Sequence, residues 1–253
     1  MKKSALRLFF AGAVMLAFPL NGSAEADQKN KKEIHYVALG DSLAAGQTPF
    51  GQMDMGYADY IVKKFKHSSY KVADYDNFGV PGYTSVHLKN DILYNQNVRK
   101  EISEASHITI DIGAVDLLIK LKTDPIHAPD AIASVSMNLQ TILSTIDQLN
   151  PDVDVFIMGY YNPFPYYPQQ EQAKLEPLLT ALNNQIEYRA GTNGDHYVGT
   201  KEKIANNYLE YLPNPQDIHL SLSGYKVVAN QFWKEIKIQL IMDIIKDYDL
   251  ERK

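Results

Sequence analysis

The stretch Ile34-His35-Tyr36-Val37-Ala38-Leu39-Gly40-Asp41-Ser42-Leu43 decides how this chain is read. A short, mostly apolar run with aromatic and β-branched side chains predicts a buried strand over 34–39, ended by Gly40. A serine just past a strand's carboxyl end can open a helix, where unpaired N–H groups favour a developing negative charge. Ser42 therefore reads in one of two ways. It is a nucleophile whose own N–H donates to an oxyanion, or it is a polar helix cap.

Working outward, the same pattern recurs. His107-Ile108-Thr109-Ile110-Asp111-Ile112-Gly113 and residues 153–159 are further buried strands that end in glycine, and 70–78 and 195–198 are strand candidates. Helical spacing predicts helices over 57–66, 84–95, 129–149, 171–189 and 221–248, the last one broken or bent. In the first of these Tyr57, Tyr60, Ile61 and Phe65 share one side; the third is stopped by Asn150-Pro151. Strands alternating with helices predict the α/β class: a single-domain three-layer sandwich, its parallel sheet covered by helices on both faces. Ligand sites in such sheets lie beyond the carboxyl ends of the strands, where Gly40, Gly113 and Gly159 fall.

Composition narrows the function. The chain has 253 residues, 45% apolar and 22% charged, with a formal charge of -5 and no basic stripe. That suits one globular domain and argues against a nucleic-acid partner. There is no cysteine, which excludes disulfides, thiol nucleophiles, thiolate metal sites and lipid attachment at cysteine. Lys2, Lys3 and Arg7 precede an apolar run over 8–20, and Ala24-Glu25-Ala26 offers small residues to a signal peptidase. This is a secretory signal pattern over 1–26. It leaves a domain over 27–253 and predicts a secreted or extracytoplasmic protein with no membrane span after processing. An uncleaved anchor is the alternative. Cleavage after Ala26 would remove three positive charges and one negative, moving the formal charge from -5 to -7.

A second chemical feature lies near the other end: Asp217-Ile218-His219-Leu220-Ser221-Leu222-Ser223-Gly224-Tyr225, just before the last helix. His219 is a general base for Ser42 if the fold brings them together, with Asp217 orienting the ring and stabilising the imidazolium. The bland alternative is a histidine in a surface loop.

These two blocks at opposite ends of the chain resemble the GDSL/SGNH hydrolase family over roughly residues 34–233. Asn77-Phe78-Gly79-Val80-Pro81-Gly82-Tyr83-Thr84-Ser85 is similar to that family's glycine block, and Gly82 matches its oxyanion glycine. The resemblance implies an esterase or lipase with Ser42, His219 and an acid as catalytic residues, and with the N–H groups of Ser42 and Gly82 as oxyanion donors. It implies no cofactor and no metal, and a small-molecule or lipid ester as substrate. Two departures stand out. Gly113-Ala114-Val115-Asp116 carries Val115 where the family has its oxyanion asparagine, and valine cannot donate a hydrogen bond. The position three before His219 is Gln216, so Asp217, two before it, is taken as the acid.

After the strand at 153–159 comes Tyr160-Tyr161-Asn162-Pro163-Phe164-Pro165-Tyr166-Tyr167-Pro168, stiff and apolar. Tyr160, Asn162 and Phe164 are candidates for lining an acyl pocket, and Asn162 for replacing the missing donor. Metalloprotease, nucleotide and dinucleotide motifs are absent. So is the Gly-x-Ser-x-Gly elbow, because Ala44 stands in its last position. The competing reading is a catalytically inactive relative that binds a lipid or glycan, supported by Val115 alone.

Overall fold

The structure is a computed structural model that describes residues 32–250. The expected leader over 1–26 lies outside them. Five parallel strands, β1 (Glu33–Gly40), β2 (Lys71–Gly79), β3 (His107–Asp111), β4 (Asp154–Gly159) and β5 (His196–Gly199), form one sheet in the order β2-β1-β3-β4-β5. β3 is buried along its whole length and β4 along nearly all of it, which is why they read as continuous apolar runs. β2 sits at an edge, and its alternation of Asp74, Asp76 and Asn77 with Val72, Tyr75 and Phe78 reflects one solvated side.

Helix α1 (Ser42–Ala45) follows β1, and α2 (Tyr57–Lys66) packs on the sheet through Tyr57, Ile61 and Phe65, with Tyr60 half-buried. Across the sheet lie α3 (Ser85–Tyr94), α4 (Gln96–Glu104), α5 (Ala114–Thr123), α6 (Ala128–Leu149) and α7 (Gln169–Asn193). In α6 the buried residues Ile132, Val135, Leu139, Ile142 and Ile146 follow the helical repeat. Asn150 ends that helix and donates its amide to the carbonyls of Ile102 and Ala105. Two short helices, α8 (Lys201–Ala205) and α9 (Tyr208–Tyr211), lead to α10 (Leu222–Leu250), which shares the α2 side.

Three expectations change. The last helix runs unbroken over 29 residues. Its first half buries Tyr225, Val228, Phe232 and Ile236, whereas Ile238, Ile241, Met242, Ile244 and Ile245 are exposed. That outward apolar pattern disturbs the periodicity. Helices α4 and α5 are additions to the expected set; α5 is apolar on two sides because one faces the core and the other a cleft. The helix opening at Ser42 is one turn long, ended by Gly46, so individual N–H groups matter there and a macrodipole contributes little. No described helix is long and apolar enough to cross a membrane.

Buried His107, at the start of β3, sits among Phe65 and Phe156, and burial lowers its pKa to about 4. Its Nε2 lies 3.8 Å from Asp154, too far for a hydrogen bond. The unfolded chain therefore binds a proton below pH ~6.5 that the native protein refuses until about 4. This site costs stability as pH falls through that window, about 3 kcal/mol in all. Urea unfolding at pH 7.5 and 4.5 should show His107→Phe losing less stability on acidification than the parent. Equal losses would mean that His107 is protonated in the native protein.

Candidate active site

Chain connections leave β1 for β2 on one side and continue through β3, β4 and β5 on the other, so the loops after β1 and β3 diverge. A crevice at such a switch point is where open α/β sheets hold their ligands. Ser42 is the first residue of α1 directly after β1, and Val115 is the second of α5 after β3.

The loop before α10 brings His219 to this edge. Its Nε2 lies 2.8 Å from Ser42 Oγ, although 177 positions separate them in sequence. Asp217 Oδ1 takes two hydrogen bonds from His219, one from the backbone N–H at 2.8 Å and one from the ring at Nδ1, 2.7 Å away. The first closes an Asx-type turn, and that turn is what lets an acid two residues before the histidine reach its ring. With Nδ1–H directed at Asp217, Nε2 is left to accept the Ser42 hydroxyl proton. Asp41 Oδ1 also lies near Ser42 Oγ, at 3.5 Å, too far to compete.

The loop is held from several sides. Tyr161 OH donates to Ile218 O at 2.7 Å, Asn214 donates to Pro49 O at 2.7 Å, and Ser221 N–H donates to Tyr211 O at 2.9 Å. Ser42 and His219 are each less than 10% exposed, which strengthens their hydrogen bond relative to one in water.

Beside Ser42 opens a narrow apolar cleft, lined among others by Val115, Leu121, Tyr160, Phe164, Leu179 and Leu182. Val115 and Phe164 thus face the space next to Ser42. Tyr160 also lines it, and its hydroxyl donates to Asp41 Oδ2 at 3.3 Å. Asn162 does not line this cleft. Its Oδ1 accepts the Phe164 N–H at 2.8 Å, its amide turns toward Gln172, and it borders a separate surface groove. An Asn-Pro-Phe turn uses the asparagine locally, so Asn162 is removed as a substrate contact and as a replacement donor.

Gly82 lies exposed in the turn after β2, with φ +82 and nothing within 4 Å of where a Cβ would stand. Backbone conformation, rather than crowding, calls for glycine there. The turn is tied to the end of β1 by the Val80 N–H donating to Gly40 O at 3.1 Å. Asp116, next to Val115, caps α3 by accepting from Ser85 N–H and Ser85 Oγ at 2.8 and 2.7 Å. Asp111, Tyr57 and Tyr161 surround or brace the site and carry no motif of their own in the sequence.

A five-stranded parallel sheet flanked by helices, with this site at its switch point, is the SGNH/GDSL hydrolase architecture. The chain belongs to the GDSL-like lipase/acylhydrolase family, whose profile matches residues 38–227. It is 24% identical over 246 residues to the uncharacterized protein YpmR of Bacillus subtilis (strain 168), covering 92% of this chain and 94% of that one. Its fold is similar to that of the lipase Lip_vut3 from a goat rumen metagenome (TM-score 0.68, 21% identity, 81% of this chain and 97% of that one). It is also similar to Axe2, an acetylxylan esterase from Geobacillus stearothermophilus (TM-score 0.60, 16% identity, 81% and 94%). Two further Axe2 structures are described as catalytic mutants, one with a serine and one with a histidine replaced by alanine.

Proposed function

We propose that this hydrolase cleaves carboxylic esters through a Ser42–His219–Asp217 triad and an acyl-enzyme. The observation that carries this reading is the continuous hydrogen-bonded chain from Asp217 through His219 to Ser42 at the mouth of an apolar cleft. Ser42 Oγ attacks the acyl carbonyl as His219 Nε2 takes its proton. The N–H groups of Ser42 and Gly82 hold the resulting oxyanion. Collapse expels the alcohol with the proton from His219, leaving the acyl group on Ser42. A water then gives its proton to His219 and attacks the acyl carbon; the bond to Ser42 Oγ breaks, His219 returns the proton to Oγ, and the acid is released. The acyl chain lies in the cleft against Val115, Phe164, Leu179 and Leu182. Each methylene buried there contributes about 0.8 kcal/mol. The leader pattern over 1–26 supports an exported enzyme.

An alkyl fluorophosphonate tests the reading. It should label the folded protein once, at Ser42, with Ser42→Ala unlabelled, and a decyl reagent should react faster than a methyl one because its chain enters the cleft. Val115, which removes a family donor, favours the competing reading of an inactive lipid or glycan binder. No labelling of folded protein would establish that second reading over the first.

A further inference from the structure

Directly beneath the Ser42 turn, two carboxyl groups meet with no cation beside them. Asp41 and Asp111 follow from neighbouring strands and are 2% and 0% exposed. The Asp41 N–H donates to Asp111 O at 3.1 Å and approaches Asp111 Oδ2 at 3.3 Å, so the two acids lie against each other. Tyr57 OH donates to Asp111 Oδ1 at 2.6 Å. Asp41 Oδ1 accepts the Leu43 N–H at 3.0 Å, capping the turn that carries Ser42. Gly40 makes room for this arrangement, since a Cβ there would overlap the Asp111 carboxyl. Among the described residues, neither carboxyl takes part in an ion pair.

Two bare carboxylates side by side in so dry a place, with no cation to offset them, would repel strongly, and one proton between them removes that repulsion. Burial and the Asp41 charge drive the Asp111 pKa well above the ordinary carboxylate range. Burial also raises Asp41, but the hydrogen bonds from Asp111, Leu43 and Tyr160 favour its ionised form. The pair titrates as a unit, and the proton rests mainly on Asp111.

We propose that Asp111 is a positioning residue, a neutral carboxylic acid that shares its proton with the Asp41 carboxylate and so holds the turn bearing Ser42. The other titratable groups facing the pair are Tyr36 from β1, Tyr57 from α2, Tyr160 and Tyr161 after β4, Tyr225 from α10, and His219 and Asp217 from the last loop. The five tyrosines are all raised well above their usual range, chiefly by burial, so they stay neutral and supply no counter-charge. Losing the shared proton would set two negative charges against each other. Asp41 would then turn from the Leu43 N–H, and Ser42 Oγ would shift from His219. Displacements of about 1 Å in such a site can cost 10²-fold in rate. The kinetic part of this inference rests on Ser42 being the nucleophile; the location of the proton does not.

The test compares the parent with Asp111→Asn and Asp111→Ala. An infrared difference spectrum of parent minus Asp111→Asn at pH 8 should contain the carbonyl stretch of an un-ionised carboxylic acid. Asp111→Ala should lower kcat about 10²-fold with KM little changed. Asn can donate to Asp41 and accept from Tyr57, so Asp111→Asn should recover at least about tenfold of that loss. A difference spectrum holding only ionised carboxylate overturns the proposal. So does an Asn variant as slow as the Ala variant, because Asn keeps the shape and both hydrogen bonds of the neutral acid, and its failure would mean that an ionised carboxylate acts at position 111. Asn is isosteric with Asp, so the infrared arm stands even if the Ala variant does not fold. If the parent hydrolyses no ester, the proposed function fails while the infrared band still decides where the proton lies.

Discussion

Asp217→Asn will lower kcat about 10³- to 10⁴-fold in a protein that folds as stably as the parent. Asp217 Oδ1 accepts from both the backbone N–H and the ring of His219. Asparagine presents one oxygen and one N–H₂ group. With the oxygen in the place of Oδ1 both bonds survive; with the amide turned inward, N–H₂ faces Nδ1, which must then accept, and the proton moves to Nε2, which can no longer take one from Ser42. The imidazolium that forms in the transition state also loses its negative partner. The loss therefore falls on kcat and on kcat/KM alike, the mark of an interaction made chiefly in the transition state. Steady-state hydrolysis of a short p-nitrophenyl ester, with thermal unfolding as the control, measures it. A folded variant as fast as the parent would remove Asp217 from the triad.

Val115→Asn will raise kcat by about 10- to 10³-fold with KM changed little. Val115 is half-buried near the start of α5 and lines the cleft together with Ser42. Asn at this position adds an amide donor at the mouth of the cleft. It serves the oxyanion of the tetrahedral intermediate more than the ground-state carbonyl, so the gain appears in kcat. The opposing terms are small by comparison. Asn and Val are similar in volume, and the half-exposed site lets water satisfy the amide before substrate binds. Esters with long acyl chains should gain least, because the apolar surface that Val115 lends them is lost. An unchanged or lower kcat in a stably folded variant would show that two N–H donors already complete the hole, or that position 115 serves only the acyl chain.

Much of the framework is legible in the sequence because burial leaves a local imprint. Residues 34–39, 107–113 and 153–159 read as buried strands because parallel strands covered on both faces are apolar throughout. Residues 129–149 read as a helix because one face meets the sheet. The family blocks place Ser42 and His219 among the candidates, since strand ends and the loop before the last helix are where such sheets build sites. Where a segment faces two environments at once, the imprint blurs. Helix α5 turns apolar residues to both the core and the cleft, which hides its repeat. Helix α10 continues past the body of the domain with isoleucines exposed, which imitates a break.

What the sequence by itself determined is the alternation of strands and helices, the glycine-ended strand tips and the residue types capable of hydrolysis. The tertiary structure alone decided which of those residues meet. Asp217 reaches His219 only because its oxygen also closes the turn between them. Asn162 is spent within its own Asn-Pro-Phe turn, whereas Val115 and Phe164 border the cleft. Asp41 and Asp111, 70 positions apart, lie side by side because β1 lies beside β3 and Gly40 leaves room for the Asp111 carboxyl. Periodicity records which side of an element is buried, a local property. Strand order, and with it every contact between distant residues, follows from how the whole set of buried faces packs together, and no single segment carries that information.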